Sequence, residues 1–453
     1  MNFRASRTEI EGNHFHQWGT AEEVDLYLDR CQIETPLELV DKVWQCVMQH
    51  RQRVGDVIDF GAGDGRFAAK GDYKKYTGYE VDPLRWSKAQ LPKNAKLIHR
   101  CAFSSRLRGA DLCIGNPPYV RNQDLPEGWR QRAARVVRQR TGVDLSGLAN
   151  AWQYFFFLAL SSVNDRGLVA LVIPYEWVSR PSSKKLRDYI NSQGWGVTVY
   201  RLPDMTFGRV LTTASITLVD KRTRDGKWTY LAQHGNEIQK KRFAGGNKAK
   251  VLEYERATKN SPLKAKRGLS PGNQKIFTLT EAERAELGLK IGRDVIACIT
   301  SLKPIPHSCA TLSAKTFSRY YRDAGRRCWL LNVSKETSFE LNAYLANVPA
   351  VDRGTATCKL RENWWEFSMP KIPSVLVATG FRGKGPKAVV NAIGAHAVGS
   401  VCGIHGPSAS FAKEIARKIR NTEVASKIVA HSMGLHKLEI NQINALLMRL
   451  LAK

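Results

Sequence analysis

The chain has 453 residues, 43% hydrophobic and 25% charged, enough apolar material for two or three domains and too much for a disordered or fibrous chain. Lys and Arg number 70 against 41 Asp and Glu, a net charge of +29 that favours a large polyanionic partner. No apolar run reaches the ~18–20 residues a bilayer crossing needs, so a membrane partner is not expected.

The charge is lopsided. Residues 226–453 carry 37 basic and 16 acidic side chains (+21), and residues 1–225 carry 33 and 25 (+8). The first residues, MNFRASRTEIEG, mix charges from the start and hold no apolar signal core, which reads as a cytoplasmic protein. Nine cysteines without a CxxC pair read as reduced thiols. The single Cys402-x-x-His405 lacks a partner pair, so no metal is expected.

After a polar lead (1–30), Thr35-Pro36 reads as a helix start, a hydroxyl cap before a proline whose missing N–H is not needed in the first turn. Leu37, Leu39, Val40, Val43, Trp44 and Val47 follow at helical spacing. Buried strands are expected at Val54–Phe60, Gly78–Val81, Lys96–Ile98, Ala110–Ile114, Gly167–Ile173, Gly196–Leu202 and Ala214–Val219, with helices at Ala151–Val163 and Lys184–Ser192. Strands alternating with helices predict an α/β domain over 31–225 with a mostly parallel, doubly wound sheet. The charged, turn-rich Asp220–Trp228 marks its end. Residues 226–453 form a second, basic domain of mixed α/β character, with strands expected at Trp329–Val333, Ser374–Ala378 and Ala397–Val401 and helix from about Ser408. The Lys240-Lys241-Arg242 run reads as a solvated surface.

Asp59-Phe60-Gly61-Ala62-Gly63-Asp64-Gly65 follows a strand and precedes a helical stretch. Glycines there let the backbone turn sharply and approach a ligand at the carboxyl edge of the sheet. GxGxG is not the dinucleotide spacing GxGxxG. Glu80 ends the next strand, where a carboxylate can accept both hydroxyls of a ribose. The pair points to a nucleoside cofactor.

The most specific feature is Asn116-Pro117-Pro118-Tyr119, directly after the strand ADLCIG. The prolines stiffen the chain and remove two N–H donors. Backbone carbonyls and the Asn116 side-chain oxygen remain as acceptors beside an aromatic ring. Such a corner suits a planar amino group, whose two N–H bonds can be held by Asn116 and the Pro117 carbonyl. Drawing both hydrogens towards acceptors favours a tetrahedral nitrogen and localises its lone pair for attack, with no prior general base.

These motifs resemble the amino-group methyltransferases, in particular the gamma class of DNA adenine-N6 methyltransferases of restriction–modification systems. The resemblance covers most of the chain. It implies a Rossmann-like catalytic domain, S-adenosyl-L-methionine as cofactor, and duplex DNA as substrate, bound by a monomer. It also implies either a modification enzyme with a cognate restriction endonuclease that is not a stable subunit, or an orphan relative without one. Thr35 is similar to the family's early TP motif at the methionine end of the cofactor. With Asp59, Gly61, Ala62, Gly63, Glu80 and Phe103, Thr35 is expected to hold that cofactor. Asn116, Pro117, Pro118 and Tyr119 are expected to be catalytic, with Tyr119 and Phe207 stacking on a flipped base. Arg267-Gly268 with Gly272, Asn273 and Phe277, Asn363-Trp364-Trp365, and Gly380-Phe381-Arg382 resemble parts of the family's target-recognition domain. Arg267, Lys275, Arg382 and Lys384 are its candidate DNA contacts. One departure is Ala102-Phe103, where the family usually carries Asp-Phe. The residues leave open methylation of RNA adenine or of a protein glutamine, and a DNA-binding specificity protein with a decayed catalytic domain.

Overall fold

The computed structural model describes residues 18–31, 34–145, 147, 149–203, 206–207, 213–234, 237–240, 261–333, 337–425, 428, 430–432 and 435–451. Lys241 and Arg242 of the basic run fall outside them. The chain divides into two compact units, Met1–Ala249 with His431–Met433, and Lys250–Ala430 with Gly434–Lys453.

In the first unit the strands are β1 (Asp56–Phe60), β2 (Lys75–Glu80), β3 (Ala95–His99), β4 (Ala110–Gly115), β5 (Val163–Pro174), β6 (Gly196–Arg201), β7 (Ala214–Asp220), β8 (Trp228–His234) and β9 (Glu237–Lys240). They form one sheet in the order β3-β2-β1-β4-β5-β7-β6-β8-β9. Strands β3 to β5 in that order run parallel, and β7 lies antiparallel between β5 and β6. The α/β class read from the sequence is therefore the one observed. Strand order reverses between β1 and β4, the switch point at which open α/β sheets bind ligands.

The helices are α1 (Ala21–Arg30), α2 (Leu37–His50), α3 (Arg66–Lys70), α4 (Pro83–Trp86), α5 (Glu127–Thr141), α6 (Ala151–Ser162) and α7 (Lys184–Ser192). Helix α6 (AWQYFFFLALSS) is apolar all round and almost wholly buried, as a helix without a polar face must be. Strand β5 is buried from Gly167 to Pro174, so both of its faces are covered. Helix α2 lays Val40, Val43, Trp44 and Val47 into the core, and the Trp44 indole N–H donates to the Phe67 carbonyl (3.0 Å).

Three expectations need correction. Helix α2 begins one residue later, with Pro36 in the capping position and no side-chain cap, because the Thr35 hydroxyl accepts from Asn116 instead. The polar lead holds helix α1, closed by a reciprocal Thr20–Glu23 capping box and anchored by buried Val24, Tyr27 and Leu28. The first unit also runs past 225 to Ala249, because β8 pairs in parallel with β6 and β9 pairs with β8, extending the same sheet.

The second unit packs a five-stranded sheet in the order 264–267, 401–405, 375–378, 388–391, 311–312 and a smaller four-stranded one. Family motif residues here build the fold. Asn273 accepts from the Lys275 N–H and caps the short helix Gln274–Phe277, and Phe277 is fully buried with its ring 5.8 Å from Trp364. The strand expected at Ala397–Val401 is split: His396–Ala397 joins the four-stranded sheet and Val401–His405 the other, with Gly399 at φ +64° making the break. Ser408, where helix is expected to begin, caps helix Ala409–Asn421, its side chain accepting from the Phe411 N–H.

A buried ion pair joins the end of α2 to the end of β7. Both Arg51 guanidinium N–H groups donate to Asp220 (2.8 and 2.7 Å), and Arg51 is 5% exposed. The arginine holds the Asp220 carboxyl well below the usual carboxylate range against the opposing effect of burial. Arg51→Ala strands a buried charge and should lower the unfolding free energy by about 3–5 kcal/mol in chemical denaturation. Because the folded pKa is depressed, the pair's contribution is complete at neutral pH and is lost as pH falls below the ordinary 3.8 towards the folded value, so wild type and variant should converge in acid.

Candidate active site

The turn after β1 is tied to the end of β2. Gly61 and Ala62 N–H both donate to the Tyr79 carbonyl (2.9 and 3.0 Å). Gly61 and Gly63 sit at φ +85° and +60°, a left-handed backbone that side chains adopt at a cost. Glu80 is buried and oriented by three backbone donors: Gly63 N–H to Oε2 (2.7 Å), and Val81 and Asp82 N–H to Oε1 (2.9 and 2.8 Å). Burial raises its pKa, opposed by these bonds and by Arg85. Lone pairs left on a carboxylate held this way can accept from hydroxyls.

Asp59, at the end of β1, is fully buried. Its Oδ2 accepts from the Tyr76 hydroxyl (2.5 Å), while Oδ1 has no partner among the described residues. Burial pushes its pKa up to about 7, partly offset by the Tyr76 bond and reinforced by Glu80. Gly115, the last residue of β4, lies against this carboxylate. A Cβ there would stand 2.3 Å from Asp59 Oδ1, which is why the strand must end in glycine. Asn116 comes next, and its Nδ2 donates to Thr35 Oγ1 (3.1 Å). That bond fixes the amide's sense and leaves Oδ1 buried and unpartnered among the described residues. Arg66 holds Thr35 in place, donating to the Thr35 carbonyl (3.0 Å) and to Asp64 and Glu34.

Thr35, Gly61, Ala62, Gly63, Glu80, Asn116 and Pro118 line one cleft, and Asp59 lies against Gly115, the residue before Asn116. Pro117 is buried. Tyr119 is half-buried, its hydroxyl donating to the Val172 carbonyl (3.0 Å). The Phe207 ring meets Tyr119 edge-on, with centroids 6.3 Å apart and planes at 84°. Phe207 is only 5% exposed and packs in the core with Val172 and Leu202. Phe103 does not reach the cleft. It is 3% exposed behind Phe155 and Trp129 (5.1 and 5.3 Å), and Phe155 is the ring that lines the cleft. Ala102 is buried and contributes no polar atom. In the second unit Arg267, Lys275, Arg382 and Lys384 are all exposed, and none takes part in an ion pair among the described residues.

Tyr27, Cys31, Arg66, Arg85 and Phe155 also line the cleft and were not legible as site residues. Tyr27 and Cys31 come from α1 and the residue after it, for which the Thr20-x-x-Glu23 capping box is a usable signal. Arg85 lies on α4, announced by Asp82-Pro83. Phe155 is one of three successive phenylalanines, and nothing local marks it out.

Residues 34–197 match the family described as Eco57I restriction-modification methylase. Residues 249–430 match the one described as the C-terminal domain of type II methyltransferase M.Eco57I. Together these segments span well over half of the chain. The chain belongs to the type II restriction–modification methyltransferase family. One curated family member, the type II methyltransferase M.XamI of Xanthomonas campestris pv. amaranthicola, is 29% identical over 183 residues, 35% of this chain and 33% of that protein. Among solved structures, the methyltransferase subunit of a type I restriction–modification system from Streptococcus thermophilus is 16% identical, covering 51% of this chain and 56% of its own, at a TM-score of 0.38. The cryo-EM structure of a DrdV–DNA complex is 11% identical, covering 84% of this chain and 50% of its own, at a TM-score of 0.49. The chain thus spans a third of the curated relative's length and about half of each solved chain.

Asp59 generates a pH prediction. Its folded pKa of about 7 lies above the ordinary 3.8, so folding favours the protonated form. Its burial therefore costs nothing below pH 3.8 and progressively more as pH rises to about 7. Asp59→Asn, which still accepts from Tyr76, should melt higher than wild type at pH 8, by about 2–4 °C for each kcal/mol recovered. The gap should close as the melts are repeated towards pH 4.

Proposed function

We propose that this protein transfers a methyl group from S-adenosyl-L-methionine to N6 of an adenine flipped out of duplex DNA. Asn116 carries the reading: its side-chain oxygen is buried, meets no donor among the described residues, and is left as the free acceptor by the Thr35 bond. A buried acceptor without a partner costs about 1–3 kcal/mol, so one at a binding edge awaits an N–H.

The residues present fit the cofactor. Glu80 has carboxylate lone pairs for ribose hydroxyls, the 61–63 turn lets the backbone approach, Asp59 Oδ1 is an acceptor unpaired among the described residues, and Phe155 supplies an aromatic face in place of Phe103. The cofactor would bring an electrophilic methyl group. Free space in the cleft is small, about 60 Å³, against the several hundred Å³ a nucleoside ligand fills.

Asn116 Oδ1 and the Pro117 carbonyl accept the two N–H bonds of the target amine and hold its nitrogen in line for displacement. Alignment of two bound reactants supplies most of the acceleration. Flipping costs a few kcal/mol of pairing and stacking, and the Tyr119 face recovers about 1–3 kcal/mol. Phe207 serves by propping that ring edge-on. The +21 of residues 226–453 supplies the sequence-independent attraction to phosphates that a recognition domain needs.

The decisive experiment incubates the protein with labelled methyl donor and a pool of duplex sequences, then digests the DNA to nucleosides. N6-methyladenine in the digest is the expected product; its absence from every duplex, with label on RNA or protein instead, rejects the assignment. Asn116→Ala should lower turnover by at least ~10²-fold, the scale of losing one polar group aimed at the reacting centre, and leave DNA affinity unchanged. Thr35→Val removes one neutral hydrogen bond of about 0.5–1.5 kcal/mol, so turnover should fall by up to roughly tenfold in the same assay.

A further inference from the structure

Helix α5 and the loop at 103–108 enclose a groove of about 610 Å³ that the cleft does not use. Five arginines line it, Arg106, Arg108, Arg132, Arg135 and Arg140, and no carboxylate does. Two of them are fixed posts. Arg108 donates to the Ser161 carbonyl (2.9 Å), and Arg140 donates to Ser162 Oγ (3.0 Å) and to the Ser105 carbonyl. Burial, and the Arg108 guanidinium beside it, push the Arg140 pKa down to about 10. The cation is held there without a compensating anion.

The rest of α5 is treated differently. Arg130 is paired with Glu127 and Arg138 with Asp144. Arg132 and Arg135, which line the groove, have no ion pair among the described residues, and nor do Arg106 and Arg108. One helix thus neutralises the arginines outside the groove and leaves those inside it uncompensated. Packing several guanidinium groups together is unfavourable unless an anion arrives to share them.

We infer that this groove binds the sugar–phosphate backbone of duplex DNA, giving the first unit a phosphate track of its own. The spacing suits a strand. From Arg132 to Arg140 the helix rises about 12 Å, the axial span of roughly three to four phosphates on one strand at ~3.4 Å each. The ligand is an extended polyanion, since the charges are spread along an open groove; guanidinium forks match phosphate oxygens two at a time. The groove lies one ring layer from the cleft, because Phe103 lines the groove and packs against Phe155, which lines the cleft. A duplex delivering a base to Asn116 could be gripped here whatever its sequence, as phosphate contacts position and do not specify. The inference rests on the proposed action on duplex DNA.

The test uses the full chain and the salt dependence of its binding to a non-specific duplex. Each phosphate contact contributes about 0.9 to the slope of log affinity against log salt. Arg132→Gln/Arg135→Gln, both on the helix surface, should reduce that slope by about two units, while Arg138→Gln, outside the groove, leaves it unchanged. Unchanged slope and affinity in the double variant overturn the groove as a phosphate track. Displacement of polyglutamate and not of DNA by the double substitution also overturns it, in favour of an acidic polypeptide. A wild-type chain that binds no duplex at all overturns the functional proposal itself, and a far-ultraviolet spectrum and melt of each variant separate lost contacts from lost fold.

Discussion

Two oxygens buried at the carboxyl ends of neighbouring parallel strands, Asp59 Oδ1 and Asn116 Oδ1, meet no donor among the described residues. Each such oxygen costs about 1–3 kcal/mol, and the rest of the first unit is arranged so that they can exist. The β1–β4 register sets Ile58 opposite Cys113, which brings Asp59 beside Gly115 and places Asn116 one residue beyond. Tyr76 satisfies one Asp59 oxygen, and Thr35 turns the Asn116 amide so that its oxygen is the free end. The offset comes from apolar burial at about 25 cal/mol per Å², concentrated in α6 and β5, which hold the strands in register.

The arginines show how one side chain takes three roles according to the carboxylates within reach. Arg51 finds Asp220 in the core and becomes a clamp between elements far apart in sequence. Arg66 finds Asp64 and Glu34 at the rim and ties the Thr35 segment to the glycine turn, which keeps the hydroxyl at the Asn116 amide. The groove arginines of α5 find none among the described residues. A high net charge is thus not evenly spread repulsion but a mixture of internal ties and unspent attraction.

In the second unit the recognisable motif residues are mostly scaffold. Asn273 caps a helix, Phe277 fills the core against Trp364, and Gly268 sits where a Cβ would stand 2.2 Å from the Val401 carbonyl. These positions are held by packing and backbone geometry, so they mark the architecture of this half. Arg267 and Arg382, by contrast, are exposed and take no part in that packing.

The sequence by itself determined the strand–helix alternation, the acceptor corner at Asn116-Pro117-Pro118-Tyr119, and the pairing of the glycine turn with Glu80. Each is carried by residues adjacent in the chain, or one strand apart, whose backbone preferences act locally. The tertiary structure alone decided that Thr35 accepts from the Asn116 amide and caps no helix, that Phe155 and not Phe103 lines the cleft, and that Phe207 meets Tyr119 edge-on. It likewise decided that α1 lends Tyr27 to the cleft lining and that β8 and β9 extend the first sheet beyond residue 225. Those outcomes depend on which of several equivalent hydroxyls, rings or edge strands comes within a few ångströms of a distant segment. No local propensity encodes that distance; it is fixed only when the sheet's register and the packing of α2, α5 and α6 are set.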